Sequence, residues 1–197
     1  MLLRDRLASY RLILASQSPR RRELLTGCGI SYQLADRFEV EEVFPSQMAC
    51  DKVAEYLSRL KSEGYPFKLQ RGDILLTADT VVIAEGEILG KPHSFDQAVQ
   101  MLEKLSGRCH RVVTGCTLRT EGRLHSFSVS TQVYFRELSR EEICYYVEEY
   151  RPFDKAGSYG IQEWIGYVGI ERIEGSFFNV MGLPVQRLYR ELEHFLD

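Results

Sequence analysis

The densest group of chemically active side chains lies near the N-terminus, in the run Ser16-Gln17-Ser18-Pro19-Arg20-Arg21-Arg22. Ser18 suits a helix N-cap and Pro19 suits the first helical position, so the run predicts the start of a helix. Free N–H groups at a helix N-terminus attract anions, and one arginine guanidinium can bind two phosphate oxygens at once. Arginines in the first turn oppose the helix dipole unless an anion is present. The run indicates a phosphate-binding turn; a solvated basic face on a capped helix is the alternative.

A carboxylate inside an apolar stretch is the second candidate. Asp79 stands between Leu75-Leu76 and Val81-Val82 in a predicted strand. Burial of a carboxylate is costly unless the group is paired, hydrogen-bonded or bound to a metal. Asp79 is therefore a candidate metal ligand or general base for a water molecule. A strand-end aspartate bonded to backbone amides is the alternative.

Three further segments carry weaker signals. Residues 86–91, Gly-Glu-Ile-Leu-Gly-Lys, have one spacer too few for a P-loop, and Pro92 replaces the required Ser or Thr. Lys91 could still reach a phosphate as a single cation, or be a solvated turn lysine. The acidic cluster at 39–42 is, taken alone, a solvated face. The segment from Asp154 to Gln162 has two glycines that suit a loop close to a ligand, and its polar groups could read a base edge. A polar surface loop is the alternative.

Several classes of site are excluded by motif and spacing. The sequence contains no G-x-G-x-x-G, G-x-S-x-G or H-E-x-x-H. The five cysteines are odd in number and include no C-x-x-C pair, and the four histidines are far apart. We therefore expect free thiols in a reducing cytosol and no zinc site.

The composition is that of an ordinary globular protein. The 197 residues are 44% hydrophobic and 27% charged, and the net charge of −3 excludes a generally basic nucleic-acid binder. No apolar stretch approaches the ~18 residues that a membrane helix needs, and the N-terminus does not resemble a secretory signal. We expect a cytoplasmic protein with neither nucleic acid nor membrane as a partner.

The hydrophobic pattern predicts the elements that position these residues. Strands are expected at 11–15, 74–84, 88–89, 111–118 and 127–135, and helices at 20–26, 47–60, 94–105, 139–150 and 184–195. Ser94 with Gln97 predicts a capping box, and Ser139 with Glu142 predicts the start of another helix. The alternation predicts an α/β fold with a mixed twisted sheet and flanking helices. No linker-like segment occurs, so we expect one domain over 1–197, with any two lobes lying on either side of a cleft.

Seven blocks of this sequence together resemble one family. They are Leu-Ala-Ser-Gln-Ser-Pro-Arg-Arg-Arg-Glu-Leu-Leu, Ala-Asp-Thr-Val-Val, Gly-Lys-Pro, Met-Leu-x-x-Leu-Ser-Gly, Val-Val-Thr-Gly, Asp-Lys-Ala-Gly-Ser-Tyr-Gly-Ile-Gln and Asn-Val-x-Gly-Leu-Pro, in this order. The chain resembles the Maf family of nucleoside triphosphate pyrophosphatases, also described as septum-formation inhibitors, from about Arg11 to Tyr189.

The resemblance implies a fold similar to inosine triphosphate pyrophosphatase, with two lobes around a nucleotide cleft, and a homodimer. It implies hydrolysis of a nucleoside triphosphate to the monophosphate and pyrophosphate with a divalent cation, Mg²⁺ or Mn²⁺. The phosphate-binding residues carried over are Ser16, Arg20 and Arg21.

The same resemblance assigns the reacting groups. Asp79 corresponds to the proton acceptor, and Glu42, Lys61 and Lys91 to further catalytic positions, with Glu42 and Asp79 as metal ligands. Glu-Val-Glu-Glu stands here where the family has D-V-D-E, and Ser-Arg-Leu-Lys where it has A-R-E-K.

The complete block ending at Gln162 resembles the branch that acts on dTTP and UTP, with Arg21, Thr80 and Gln162 as specificity positions. A glutamine amide can pair with a pyrimidine carbonyl and ring N–H together. The function expected is removal of such nucleotides, normal or modified, from the nucleotide pool. A nucleotide-sensing regulator of cell division that acts through partner binding is the alternative.

Overall fold

Seven strands form a mixed sheet in the computed structural model, which describes residues 1–197. In chain order they are β1 (Arg11–Leu14), β2 (Gln33–Leu34), β3 (Asp73–Ala84), β4 (Glu87–Leu89), β5 (Cys109–Arg119), β6 (Leu124–Phe135) and β7 (Ile170–Glu174). Their order in the sheet is β2-β1-β3-β5-β6-β7, with β4 paired to β3. β1 is parallel to β2 and β3, whereas β4 is antiparallel to β3 and β7 to β6. The predicted mixed-sheet α/β class is confirmed.

Eight α-helices and one short 3-10 helix join the strands. They are α1 (Leu3–Leu7), α2 (Pro19–Gly27), α3 (Cys50–Glu63), α4 (Phe95–Leu105), α5 (Arg140–Tyr150), α6 (Trp164–Gly169), α7 (Phe177–Met181) and α8 (Val185–Phe195), with the 3-10 helix at Ala156–Ser158. No helix is long and apolar enough to cross a membrane.

The predicted helix at 47–60 is wrong at both ends. Ala49 is the N-cap of α3, and the helix continues to Glu63, where the N–H of Gly64 bonds to the carbonyl of Leu60. Lys61 therefore lies in the last helical turn, where the helix dipole favours a cation. The side-chain periodicity of α3 is visible in the sequence, but its N-terminus carries no side-chain cap that would mark the start.

The starts of α5 and α4 differ in their capping bonds. Ser139 is the N-cap of α5, which confirms the predicted helix start, and Ser139 and Glu142 form both reciprocal bonds of a capping box. At α4, Ser94 Oγ accepts from the N–H of Gln97 at 3.2 Å, but Gln97 Oε1 accepts from the N–H of His93 at 2.7 Å. The return bond thus goes to the residue before the N-cap, and the prediction is only half right.

The chain divides into two compact units. Unit 1 comprises Met1–Asp79, Thr114–Val129 and Gly182–Asp197, and unit 2 comprises Thr80–Val113 and Ser130–Met181. In unit 1, β1 and the first half of β3 are buried, as are Val53, Ala54 and Leu57 of α3. In unit 2, α4 packs on α5 and contributes the fully buried side chains of Leu102 and Leu105.

The core of unit 2 contains a neutral histidine. His110 is 2% exposed, and its Nε2 lies 2.7 Å from the hydroxyl of Tyr159. Its ring also makes an edge contact with Phe135 at 5.2 Å between centroids. Burial lowers the pKa of His110 from 6.5 to about 4.

This histidine should make folding sensitive to acid. Between pH 6.5 and pH 4 the unfolded chain binds a proton at His110 that the folded chain does not, so stability falls as the pH falls through this window. The shift corresponds to about 3 kcal/mol in total. We expect His110→Gln to flatten the dependence of the unfolding free energy on pH from 7 to 4, measured by urea denaturation. His93→Gln, which changes an exposed histidine of the same unit, is the control. If the unfolding free energy of His110→Gln depended on pH as steeply as that of the wild-type protein, this account would be wrong.

Candidate functional site

The arginine run begins α2 as the sequence predicts, with Ser18 as N-cap and Pro19 in the first turn. Ser16 Oγ accepts from the N–H of Ser18 at 3.3 Å and from Arg21 Nη1 at 3.1 Å. Arg21 Nε donates to the carbonyl of Gly182 at 2.8 Å. Gly182 has a φ of 113°, which other residues rarely adopt. The guanidinium of Arg21 is thus held in one orientation by the first turn and by the loop before α8.

Asp79 contributes to the electrostatic environment of Arg21. Burial lowers the pKa of Arg21, and the negative charge of Asp79 is the largest effect that opposes this shift. Cys116 is fully buried near Arg21, and burial raises the pKa of its thiol to about 12. The thiol therefore stays neutral. The charge that balances Arg21 comes from Asp79 and, more weakly, from Glu42.

Lys61 joins the two candidate acids. Its Nζ lies 2.5 Å from Asp79 Oδ1 and 3.0 Å from Glu42 Oε1. The side chains of Asp79 and Lys61 are 12% and 19% exposed, whereas that of Glu42 is 51% exposed. The buried carboxylate of Asp79 is therefore stabilised by an ion pair with Lys61. Because the Lys61 ammonium contacts both carboxylates, Glu42 and Asp79 lie close enough together to bind one cation between them.

The position of Lys61 depends on how α3 lies against the sheet. A Cβ at Gly115 on β5 would lie 2.3 Å from the backbone of Ala54, so the helix backbone touches the strand directly. Ser58 Oγ and Thr117 Oγ1 are 2.8 Å apart across the same contact, and Thr77 Oγ1 donates to the carbonyl of Ser58 at 2.7 Å. Close approach and buried hydrogen bonds together fix the helix, and with it the ammonium next to Asp79.

A second contact places the acidic segment at the end of α3. A Cβ at Gly64 would lie 2.7 Å from Cγ2 of Val40, so Val40 packs directly on the helix C-terminus. Val40 is the apolar member of the Glu-Val-Glu-Glu cluster. Its packing explains why Glu42, two residues later, reaches Lys61 although its own side chain is half exposed.

The other predicted site residues lie in unit 2. Thr80 follows Asp79 on β3, and Lys91 is exposed just after β4. Gln162 ends the predicted ligand loop, and its Oε1 is buried without a hydrogen-bond partner. The N–H of Gly157 donates to the carbonyl of Gly90 at 3.1 Å, so this loop contacts the turn that bears Lys91.

The geometry adds residues that the sequence did not single out. The carbonyl of Gly182 orients Arg21, and Gly115 admits the backbone of α3. A glycine inside a predicted strand often marks a close backbone approach, and that signal could have found Gly115. No group of three His, Cys, Asp or Glu side chains is placed to hold a metal ion.

Comparison with known proteins gives close matches over nearly the whole chain. A relative from Phocaeicola vulgatus named dTTP/UTP pyrophosphatase is 51% identical over 189 residues, which cover 96% of this chain and 98% of the relative. A protein of the same name from Porphyromonas gingivalis is 52% identical and covers 97% of each chain. One from Bacteroides thetaiotaomicron is 49% identical and covers 95% of this chain and 97% of its own length.

A solved structure of a HAM1 protein from Coxiella burnetii is similar with a TM-score of 0.47 and 16% sequence identity, covering 94% of this chain and 99% of that one. The model of the family described as Maf-like protein matches residues 11–195. Together with the relatives at about half identity, this match confirms the resemblance seen in the motifs, and the chain belongs to the Maf-like protein family.

Proposed function

We propose that this protein hydrolyses dTTP and UTP, or modified pyrimidine nucleotides, to the monophosphate and pyrophosphate, and so removes them from the nucleotide pool. The observation that carries the proposal is the group formed by Asp79, Lys61 and Glu42, with Asp79 close enough to Arg21 to affect its pKa. The names of the 49–52% identical relatives supply the substrate class.

The residues at the start of α2 bind the phosphates of the substrate. Arg21 is already oriented by Ser16 and Gly182, so little side-chain freedom is lost when an anion binds. The guanidinium of Arg20 adds a further donor to phosphate oxygens. The first turn has no acidic residue, and a bound polyphosphate supplies the negative charge that the helix dipole favours there.

Asp79 acts as general base. Its Oδ1 accepts from Lys61, which leaves Oδ2 to take a proton from water as the water oxygen attacks the α-phosphorus. The bond from the α-phosphorus to the bridging oxygen breaks, and pyrophosphate leaves with that oxygen. Arg20, Arg21 and Lys61 neutralise the charge that builds up on the leaving group, and Lys91 stays a predicted catalytic position. The scheme requires no covalent intermediate.

Glu42 and Asp79 are the residues that would hold a divalent cation. Their carboxylate oxygens converge on a single ammonium, and a magnesium ion is often held by one or two carboxylates with phosphates and waters as its other ligands. When bound, Mg²⁺ or Mn²⁺ supplies positive charge to the phosphate oxygens.

Recognition of the base is assigned to Gln162. A buried acceptor without a partner is costly, and the N3–H of uracil or thymine would supply the missing donor to its Oε1. Thr80 and Arg21 remain predicted specificity positions.

A homodimer also stays a prediction. A cytoplasmic location is predicted too, and the five free cysteines agree with a reducing compartment.

The direct test is product analysis with UTP and dTTP in the presence of Mg²⁺ or Mn²⁺. We expect the nucleoside monophosphate and pyrophosphate in equal amounts. Release of orthophosphate would contradict cleavage between the α- and β-phosphates. Nucleotide binding without any turnover would contradict the enzyme and favour the regulatory alternative.

A further inference from the structure

The acid Glu42 belongs to a segment without regular secondary structure, residues 35–45 of unit 1. Its carboxylate lies 3.0 Å from the Lys61 ammonium, but the Glu42 side chain is 51% exposed. An ion pair that faces solvent contributes little to stability, so this pair alone cannot hold an irregular segment in one conformation. Contacts elsewhere in the segment therefore set the position of Glu42.

Burial alternates along residues 38–42, which we call the strap. Phe38 and Val40 are partly buried, whereas the glutamate that follows each of them is exposed. In an extended chain every second side chain points to the same side, so Phe38, Val40 and Glu42 share one face. The other two glutamates of the acidic cluster lie on the opposite face, and only Glu42 is directed at the site.

The first residue of the strap is anchored by apolar contacts. Phe38 packs against a cluster of buried side chains, Ile13, Ala15, Leu69 and Leu75. Tyr65 packs on the same cluster and makes an edge contact with Phe38, at 5.4 Å between the ring centroids. Tyr65 directly follows Gly64, on which Val40 packs. Both contacts hold the strap against the end of α3.

The strap follows β3 over an equal number of residues. At one end, Phe38 packs on the apolar cluster that contains Leu75 of β3. At the other end, Glu42 shares the Lys61 ammonium with Asp79. Along the strap and along β3 these two ends are four residues apart, and alternate residues of an extended chain face the same side. Anchoring of Phe38 therefore brings Glu42 level with Asp79.

We propose that Phe38 and Tyr65 are positioning residues, whose contact anchors the strap and so places the Glu42 carboxylate next to Asp79. The inference rests on the proposed function, because it takes Glu42 as a group that the reaction needs. It assigns neither ring a contact with the substrate. The two rings act through the strap, and the Lys61 ammonium then holds the carboxylate that the strap delivers.

A double-mutant cycle with UTP as substrate tests this role. Phe38→Ala should lower kcat about 10-fold, because a displaced Glu42 no longer completes the site. When Glu42→Gln is already present, Phe38→Ala should have no further effect, since the strap then has no carboxylate to place. A merely structural role would lower kcat by the same factor with and without Glu42→Gln.

Tyr65→Ala removes the other ring of the contact and leaves the sequence of the strap unchanged. It should lower kcat as Phe38→Ala does, whereas Tyr65→Phe, which keeps the ring, should retain the full rate. Phe67→Ala is the matched control. The Phe67 ring lies 5.4 Å from that of Tyr65, but it belongs neither to the strap nor to the apolar cluster, and its side chain is 47% exposed.

Cleavage by trypsin gives a readout that does not depend on turnover. Arg37 is exposed directly before the strap. Tyr65→Ala should speed cleavage after Arg37 about 10-fold under native conditions, measured by mass spectrometry, because the strap opens more often. Phe67→Ala should leave this cleavage rate unchanged.

The two readouts separate the inference from the proposed function. If the protein hydrolyses neither UTP nor dTTP, the proposed function fails, and faster cleavage of Tyr65→Ala would still support the anchoring of the strap by Tyr65. An unchanged cleavage rate in Tyr65→Ala would overturn the inference. Equal effects of Phe38→Ala on kcat with and without Glu42→Gln would also overturn it.

Discussion

Asp79→Asn should lower the turnover of UTP by ~10²-fold or more while the fold is retained, as expected when a general base is removed. The asparagine oxygen can still accept from Lys61 Nζ, which lies 2.5 Å from Oδ1 of the aspartate. It cannot take a proton from the attacking water. The loss should therefore appear in kcat, with a smaller change in KM, in steady-state assays that follow pyrophosphate.

The control for Asp79→Asn is Asp36→Asn, which makes the same chemical change at an exposed aspartate of unit 1. It should retain the full rate. Unfolding by urea should give similar midpoints for both variants, so that the loss of rate cannot be ascribed to loss of fold. A rate for Asp79→Asn equal to that of the unchanged protein would show that the aspartate serves only as the partner of Lys61.

Local signals in the sequence predicted the elements that frame the site. The apolar runs of β1 and β3 stand out because both strands are buried, and β3 spans Asp73–Ala84 where 74–84 was predicted. The start of α2 was predicted because Ser18 and Pro19 have specific preferences at a helix N-terminus. Periodicity is most informative for such elements, in which one stretch of chain carries the whole pattern.

Short elements could not be predicted because their stability comes from distant partners. β7 has an exposed and half-buried pattern of its own, yet it pairs with β6, with Ile173 opposite Val133. β2 has only two residues, both exposed, and exists because Ile13 and Leu14 of β1 provide its hydrogen-bond partners. Neither segment carries a pattern that separates it from a loop.

In the candidate site, too, the sequence predicts single residues but not the contacts between distant ones. Asp79 is predicted because a carboxylate in an apolar strand is unusual, and Arg21 because it belongs to an arginine run at a helix start. Lys61 is predicted from the family resemblance alone. Their mutual geometry was not available, since the pairing of Lys61 with Asp79 joins residues 18 positions apart through the packing of α3 on the sheet. The acid that appeared isolated in its strand is paired in the fold.

That packing leads to the second large effect. Gly115→Ala should lower the free energy of unfolding by about 3 kcal/mol, the upper part of the usual range for overpacking. The added Cβ would lie 2.3 Å from the carbonyl carbon and oxygen of Ala54 and from the nitrogen of Glu55. These are backbone atoms of α3, so no change of side-chain rotamer relieves the contact and the helix itself must shift.

A shift of α3 should also impair catalysis, because Lys61 lies in its last turn and must reach Asp79. We expect Gly115→Ala to lower kcat even at temperatures where circular dichroism shows the protein to be folded. Gly122→Ala is the matched control. Gly122 lies in the same unit, and a Cβ there would have no neighbouring atom within 4 Å. Full activity and an unchanged urea midpoint for Gly115→Ala would mean that α3 can move away from β5 without disturbing the pair. In that case the direct contact of helix and strand would not be what places the ammonium.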